Sequence, residues 1–339
     1  MSMFSSSPFS FPAAGLTSAY ERGSTGLETL RAVVLLSGSV WPRPWMAAIG
    51  RSILDLPLES ERSVLGHWIQ AVGGLADEVG LRRLALRVIL CRAAPIPTAP
   101  RSRARASVPL QIERDNMDFR GTGGVLRDLS VAYDKDDYLL VASGAQVLVE
   151  DLSSVVRAMG RIGGDVVLLV QADGTAGTLM LIRCGALADI APVGFVDLKE
   201  QGLPVLAARH RINVLRRAHA ALLPIRTAPE YLSAIRGYRQ LGRDGWAVDE
   251  PGRAEHVPAQ GIVEAQARVE PSAVVHDAVV LGGGTVGAGA VVARSIICEG
   301  ATVARGQVVV NRIVTSRHTT QMWLDRPWQA IRAPAPPSV

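Results

Sequence analysis

The chain has 339 residues, enough for one large domain or two ordinary ones, and 48% apolar with 20% charged residues is the balance of a globular protein with a sizeable core. Its net charge of +5 is carried almost wholly by arginine, and only 5% of residues are aromatic, so the surface is mildly basic without a stacking platform and nucleic acid is not an expected partner. No apolar run reaches the roughly 18–20 residues of a membrane span, and the stretch before Arg22 has neither a basic residue nor an apolar core, so no membrane partner and no secretory leader are expected and the cytoplasm is the default location.

Residues 1–28 are rich in Ser, Phe, Pro and Gly without periodicity and read as a loose N-terminal arm, whose Phe4, Phe9 and Phe11 offer apolar docking groups. Ala32 to Leu36 is an unbroken apolar run closed by Ser37-Gly38-Ser39, the pattern of a strand buried on both faces of a parallel sheet. A small-residue loop at the end of such a strand lets backbone N–H groups approach a phosphate. After a Pro- and Trp-bearing segment, Val64 to Leu75 reads as a helix and Leu84 to Cys91 as a second buried strand. Cys91, Cys184 and Cys298 are widely separated and include no C-x-x-C pair, which supports neither a disulfide framework nor a zinc site. Pro95 to Pro109 carries Arg101, Arg103 and Arg105 and reads either as a solvated loop or as a loop for phosphate or an acidic surface.

Gly121-Thr122-Gly123-Gly124 opens a helix, and its glycines admit either a ligand or a neighbouring backbone. Tyr138 to Ala142 is a strand followed by Ser143-Gly144-Ala145; Asp151 opens a helix as a cap or first-turn acid. Asp165 to Val170 is the next strand, after which the chain passes through Asp173-Gly174-Thr175 to Thr178-Leu179-Met180-Leu181-Ile182. From Val257 the texture changes. Val257, Val263, Val269, Val275 and Leu281 step by six, and after a one-residue slip Val286 and Val292, then Ile297, Val303 and Val309, continue with Gly and Ala between them. One inward branched residue per six is the pattern of hexapeptide repeats in a left-handed parallel β-helix, here of about three coils. The division expected is therefore arm 1–28, an α/β domain 29–245, a coil domain 246–318, and a C-terminal cap and tail 319–339 that carries Trp323 and Trp328.

The opening strand and loop, with R-S-I-L-D-L-P-L at Arg51 to Leu58 and V-L-G-H-W-I at Val64 to Ile69, resembles the start of the sugar-1-phosphate nucleotidyltransferases, the NDP-sugar pyrophosphorylases. That family runs from a strand into G-G-x-G-T-R-L-x-P-L-T, then x-P-K-P-L-L-P-V, then a helix beginning L-L-x-H-W-I. Ser37-Gly38-Ser39 stands at its glycine pair and Ser52 near its lysine. Gly121 to Gly124 stands at its L-G-T-A-G-A-L-R, a turn that lies against the nucleotide. Ser143-Gly144 stands at its N-G, with Ala145 in place of the Asp that holds magnesium. Thr227, Pro229, Glu230 and Tyr231 keep the frame of its G-x-W-x-D-I-G-T-P-E-D-Y-L-x-A, with Pro224 in place of the second magnesium ligand. No E-K-P is present, and neither Lys135 nor Lys199, the two lysines of the chain, falls on a motif position. Members often carry a C-terminal coil of the kind read here.

The resemblance implies a Rossmann-like, GT-A-like nucleotidyltransferase domain followed by a short left-handed β-helix. It implies nucleotide contacts at Ser37, Gly38, Ser39, Gly121, Thr122, Gly123, Gly124, Ser143 and Gly144. Nucleotidyl transfer depends on cations at the phosphates, and losing one such stabiliser lowers the rate about 10²–10³-fold. With Ala145 and Pro224 at the metal positions, the first expectation is a silent relative in sugar-nucleotide or polysaccharide metabolism. It would need no cofactor, bind a nucleotide or nucleotide sugar, and assemble with itself or with an active relative. The second is an active, Mg2+-dependent enzyme with displaced ligands, drawn from Asp55, Asp151 or Asp173 for the metal and Arg43 or Arg51 for phosphate. The third is a hexapeptide acyltransferase using His256 or His276 as base.

Overall fold

The computed structural model describes residues 27–37, 44–99, 108–115, 120–171, 176–244 and 261–321. Sixteen strands and helices build the α/β part around its sheet. Strand β1 (Leu30–Ser37) is followed by the short helix α1 (Pro44–Ile49), helix α2 (Val64–Val79), β2 (Ala85–Leu90), β3 (Leu110–Arg114), helix α3 (Gly121–Ser130), β4 (Tyr138–Ser143), β5 (Gln146–Leu148), helix α4 (Leu152–Ile162) and β6 (Val166–Val170). Then come β7 (Ala176–Arg183), the short helices α5 (Cys184–Leu187) and α6 (Leu203–Ala207), β8 (Ile212–Arg216), β9 (Leu222–Pro224) and the long helix α7 (Ala228–Asp244).

Seven strands form one sheet in the order β3-β2-β1-β4-β7-β6-β8. All neighbours are parallel except those of β7, which runs against both β4 and β6. The unbroken apolar run of β1 follows from its central place: Val33 and Leu35 point into one core, Ala32 and Val34 into the other, and all four are fully buried. Helices α2, α4 and α7 cover the first face, α3, α5 and α6 the second.

The helix ends are set by local chemistry. Ser63 caps α2 by accepting from the Gly66 N–H, and Gly80 ends it in the left-handed conformation at φ 73°. Asp151 caps α4 through the Ser154 N–H at 2.6 Å. Before α7, the Thr227 hydroxyl accepts from the Glu230 N–H at 3.2 Å while the Glu230 carboxylate accepts from the Thr227 N–H at 3.1 Å, a reciprocal capping box.

The coil part begins with β10 (Ile262–Val263), β11 (Arg268–Val269) and β12 (Val274–His276). It repeats as β13 (Val279–Val280), β14 (Thr285–Val286), β15 (Val291–Ala293), then β16 (Ile296–Ile297), β17 (Thr302–Val303), β18 (Val308–Val310), and closes with β19 (Arg312–Val314) and β20 (Thr319–Gln321). Equivalent strands stack in parallel into three sheets, β10-β13-β16-β19, β11-β14-β17 and β12-β15-β18. This is a β-helix, with β20 folded back antiparallel on β19.

One expectation is corrected. Coil partners are Ile262, Val279, Ile296 and Ile313, a repeat of 17 and not 18 residues. The inward residue after Val275 is Val280, and Leu281 faces out into the main core. The step is five wherever a left-handed residue forms the corner: Asp277, Arg294 and Asn311, at φ 48°, 45° and 55°. Asp and Asn tolerate that conformation; Arg294 is held there with its Nε donating to Asn311 Oδ1 at 2.8 Å. Ile262, Val279, Leu281, Ile296, Cys298 and Ile313 share one core with β1, α2 and α7, so the first coil sheet packs directly on the α/β part. Of the expected segments, residues 1–26, 245–260 and 322–339 lie outside the described residues, as do the arginines of the 100–107 loop.

Candidate functional site

The order of the main sheet reverses at β1, with β2 and β3 to one side and β4 to the other, and ligand crevices in α/β sheets open beyond the carboxyl ends of strands at such a switch point. Ser37 ends β1 and Ser143 ends β4. Gly144 donates its N–H to the Leu36 carbonyl at 2.9 Å, and a Cβ on Gly144 would stand 2.8 Å from Ser37 Cβ. Only glycine lets the two strand ends approach so closely. The Ser143 hydroxyl accepts from the Ala145 N–H at 3.1 Å and fixes the turn. Ser37, Ser143 and Gly144 are thus brought together; Gly38, Ser39 and Arg43 lie outside the described residues.

Gly121, at φ 68°, starts α3 with its α-carbon against the Val196 carbonyl, where a Cβ would lie 2.4 Å from the oxygen. Gly123 donates to the same carbonyl at 2.9 Å, and Thr122 Oγ1 accepts from the Leu198 N–H at 2.9 Å. Gly124 backs onto the buried Arg120 side chain, which binds Asp128 through two nitrogens at 2.9 and 3.0 Å and donates to the Gly194 carbonyl at 2.9 Å. Asp128 is held below the usual carboxylate range by that guanidinium. In this structure the glycine turn is a packing surface for the 194–198 segment.

The two metal positions implied by the resemblance come together. Strands β5 and β9 form an antiparallel ribbon in which Gln146 faces Pro224, and the Ile225 N–H donates to the Ala145 carbonyl at 3.0 Å. Helix α2 fixes one side: Trp68 Nε1 donates to the Gln146 carbonyl at 3.3 Å, and His67 Nε2 lies 2.6 Å from the Leu148 carbonyl. Trp45 Nε1 donates to the Arg226 carbonyl at 2.8 Å, and the buried Tyr231 hydroxyl donates to the Pro57 carbonyl at 2.6 Å, which fixes the other. Ala145 and Pro224 therefore lie on neighbouring rungs, both part-exposed. A methyl group and a pyrrolidine ring offer no oxygen to a hard cation, so these residues do not fit Mg2+.

The displaced ligands do not gather there either. Asp151 caps α4, Asp55 accepts from the Thr98 N–H at 2.8 Å, and Asp173 lies outside the described residues. Burial raises the Asp55 carboxyl, opposed by the Thr98 bond and by Arg51. Among the described residues no group of three or more His, Cys, Asp or Glu could hold a metal ion. Arg51 is directed at the coil: its NH1 binds both oxygens of Glu264 at 3.0 Å, and both side chains are about four-fifths buried. His276 is exposed beside Asp277, with His256 outside the described residues.

Motif reading passed over two cations. Arg226 follows the β5–β9 ribbon, and Lys199 follows Asp197 at the turn that Thr122 binds. Lys199 is exposed by area, yet partial desolvation of its ammonium, with Arg226 nearby and Asp197 opposing, draws its pKa below the ordinary lysine value. Arg226 pairs with Glu230 at 3.0 Å. Lys199 falls on no family motif position and Arg226 stands where the frame has a glycine, which is why sequence reasoning gave them no role.

No protein-family model and no curated protein sequence matches the chain. Among solved structures, it is similar to a Mycobacterium sp. strain JC1 homolog of Mycobacterium tuberculosis rv0371c (16% identity, 63% of this chain and 98% of that one, TM-score 0.42). It is similar to HddC from Yersinia pseudotuberculosis (12% identity, 62% and 100% covered, TM-score 0.41), a protein also solved with GMP-PN. It is similar, too, to a Bacillus anthracis protein assigned as a glucose-1-phosphate thymidylyltransferase and solved with sucrose (9% identity, 62% and 95% covered, TM-score 0.47).

Proposed function

We propose that this chain is a catalytically silent relative of the sugar-1-phosphate nucleotidyltransferases. It binds a nucleotide or nucleotide sugar in the crevice beyond β1 and β4 and serves sugar-nucleotide or polysaccharide metabolism as a regulatory or scaffold subunit, assembled with itself or with an active relative. The observation that carries this reading is the juxtaposition of Ala145 and Pro224. Two positions chosen separately, on motif frames far apart in the chain, fall on adjacent rungs of one ribbon, Pro224 facing Gln146 and Ala145 facing Ile225, beside the strand-end turn of Ser143 and Gly144. That juxtaposition supports the register of the resemblance, and the identities of the two residues support the loss of the ion.

The test is thermal unfolding of the full chain against nucleoside triphosphates and nucleotide sugars, with and without Mg2+, together with an assay for pyrophosphate release. Ligand at one hundred times its Kd stabilises by about 2.7 kcal/mol. The expected result is a rise in Tm with a nucleotide sugar that does not depend on Mg2+, and no pyrophosphate from any sugar-1-phosphate. Magnesium-dependent turnover would replace this reading with an active enzyme, and no response to any nucleotide would end it.

A further inference from the structure

We propose that the outer face of the third coil sheet is the seat of the chain's own C-terminal segment, with Trp323 lying across Val308 and Val310. The three outer faces of the coil differ sharply. That of the first sheet is buried in the main core. That of the second shows Arg268, Thr285 and Thr302 in register, a polar surface. That of the third shows Val274, Val291 and Val308 in one column and His276, Ala293 and Val310 in the next, with His276 the single polar side chain. Val275, Val292 and Val309 between them point inward. Val274 and Val308 are 52% and 67% exposed, and nothing among the described residues covers the column. A ladder of valines in register is a surface that soluble chains cover.

The path of the chain says what covers it. After the turn that Thr315 fixes by bonding back to His318, β20 runs along β19 with Thr319 facing Val314, Thr320 facing Ile313 and Gln321 facing Arg312. β20 thus ends at Gln321, beside the Asn311 corner where β18 turns into β19. Antiparallel pairing continued by one corner residue sets residues 323–325 alongside 310–308, the open edge of β18. Residues facing each other across an antiparallel pair share a side of the sheet. Trp323 then falls on the outer side with Val310, and Leu324 on the inner side with Val309. The order Trp-Leu-Asp-Arg-Pro matches that alternation: an aromatic for the apolar column, an aliphatic for the interior, then charges, then Pro327, which cannot donate to a ladder and ends it.

Hydrogen exchange read by mass spectrometry tests this on three proteins: the full chain, a chain ending at Gln321, and the full-length double variant Trp323→Ala/Leu324→Ala. The double variant keeps the test open if truncation impairs folding. The expected result is exchange at Val308–Val310 faster by about tenfold or more in both altered proteins, with the main sheet unchanged. Equal exchange in all three overturns the proposal. So does protection of β18 that disappears on dilution, since that assigns the face to a second copy of the chain.

Discussion

Placing oxygen ligands on the β5–β9 ribbon is the sharpest test of the proposed silent site. In the variant Ala145→Asp/Pro224→Asp, the two carboxylates occupy neighbouring rungs. Ala145 faces Ile225 and Pro224 faces Gln146, so the two carboxylates are offset by one rung and not directly opposite; two unit charges about 7 Å apart repel by about 2 kcal/mol at an effective dielectric of about 20. Both positions are part-exposed, and solvent screening reduces the penalty to about 1–2 kcal/mol. The metal-free variant should unfold below the wild type by that amount. Mg2+ at one hundred times its Kd returns about 2.7 kcal/mol, which for a domain of this size reads as about 5–10 °C in Tm. The neutral variant Ala145→Asn/Pro224→Asn, of nearly the same shape, should show a much smaller response, and the wild type none. Differential scanning fluorimetry with Mg2+ titrated from zero measures all three. A folded aspartate variant whose Tm ignores Mg2+ would refute the claim that these two positions are the vacated ligands, and with it the main support for a silent site.

Arg51 and Glu264 join the two parts of the molecule through a mostly buried pair in which one guanidinium nitrogen donates to both carboxylate oxygens. Arg51→Ala and Glu264→Ala should each lose about 1–3 kcal/mol in urea unfolding, with a coupling of about 1–2 kcal/mol in the double-mutant cycle; strict additivity would mean the pair does not hold the junction. Gly121→Ala combines a left-handed φ with a Cβ 2.4 Å from the Val196 carbonyl and should lose about 2–5 kcal/mol. Gly50→Ala, at φ 75° with open space around it, should lose only about 1 kcal/mol, and equal losses at the two sites would remove the argument for close packing at Gly121. Burial lowers the pKa of His67 despite its bond to the Leu148 carbonyl, so the folded state binds a proton less readily than the unfolded one. That contribution is present above the unfolded value of about 6.5 and is lost as pH falls below it. Unfolding free energy should therefore drop between pH 7.5 and pH 5.5, and His67→Gln should flatten the drop.

Where local chemistry decides structure, the residues alone were enough. Apolar runs marked β1, β2, β4 and β6 because each is buried on both faces, and the motif frame kept by Thr227, Pro229, Glu230 and Tyr231 carried the entry to a helix. Periodicity found the coil but misjudged its repeat, because the shortened corner depends on a left-handed residue in every turn. One of those is Arg294, a type that carries no sequence signal for that conformation. Strands β5 and β9 are three residues each, too short for any period to register, and only long-range pairing reveals them.

The candidate site divides along the same line. That Ala145 and Pro224 lack carboxylates is a fact of identity, readable once a motif frame supplies the comparison. That the two lie on adjacent rungs is a fact of topology, produced by Trp68 and His67 on one side and Trp45 and Tyr231 on the other. The same distinction explains Arg51. By position it stood near a phosphate-binding motif, but its guanidinium is taken up by the Glu264 carboxylate, and Glu264 lies on a coil that no local pattern connects to it. A cation committed to Glu264 cannot leave for a phosphate without leaving a mostly buried carboxylate unpaired. Arg51 therefore belongs to the junction between the α/β part and the coil.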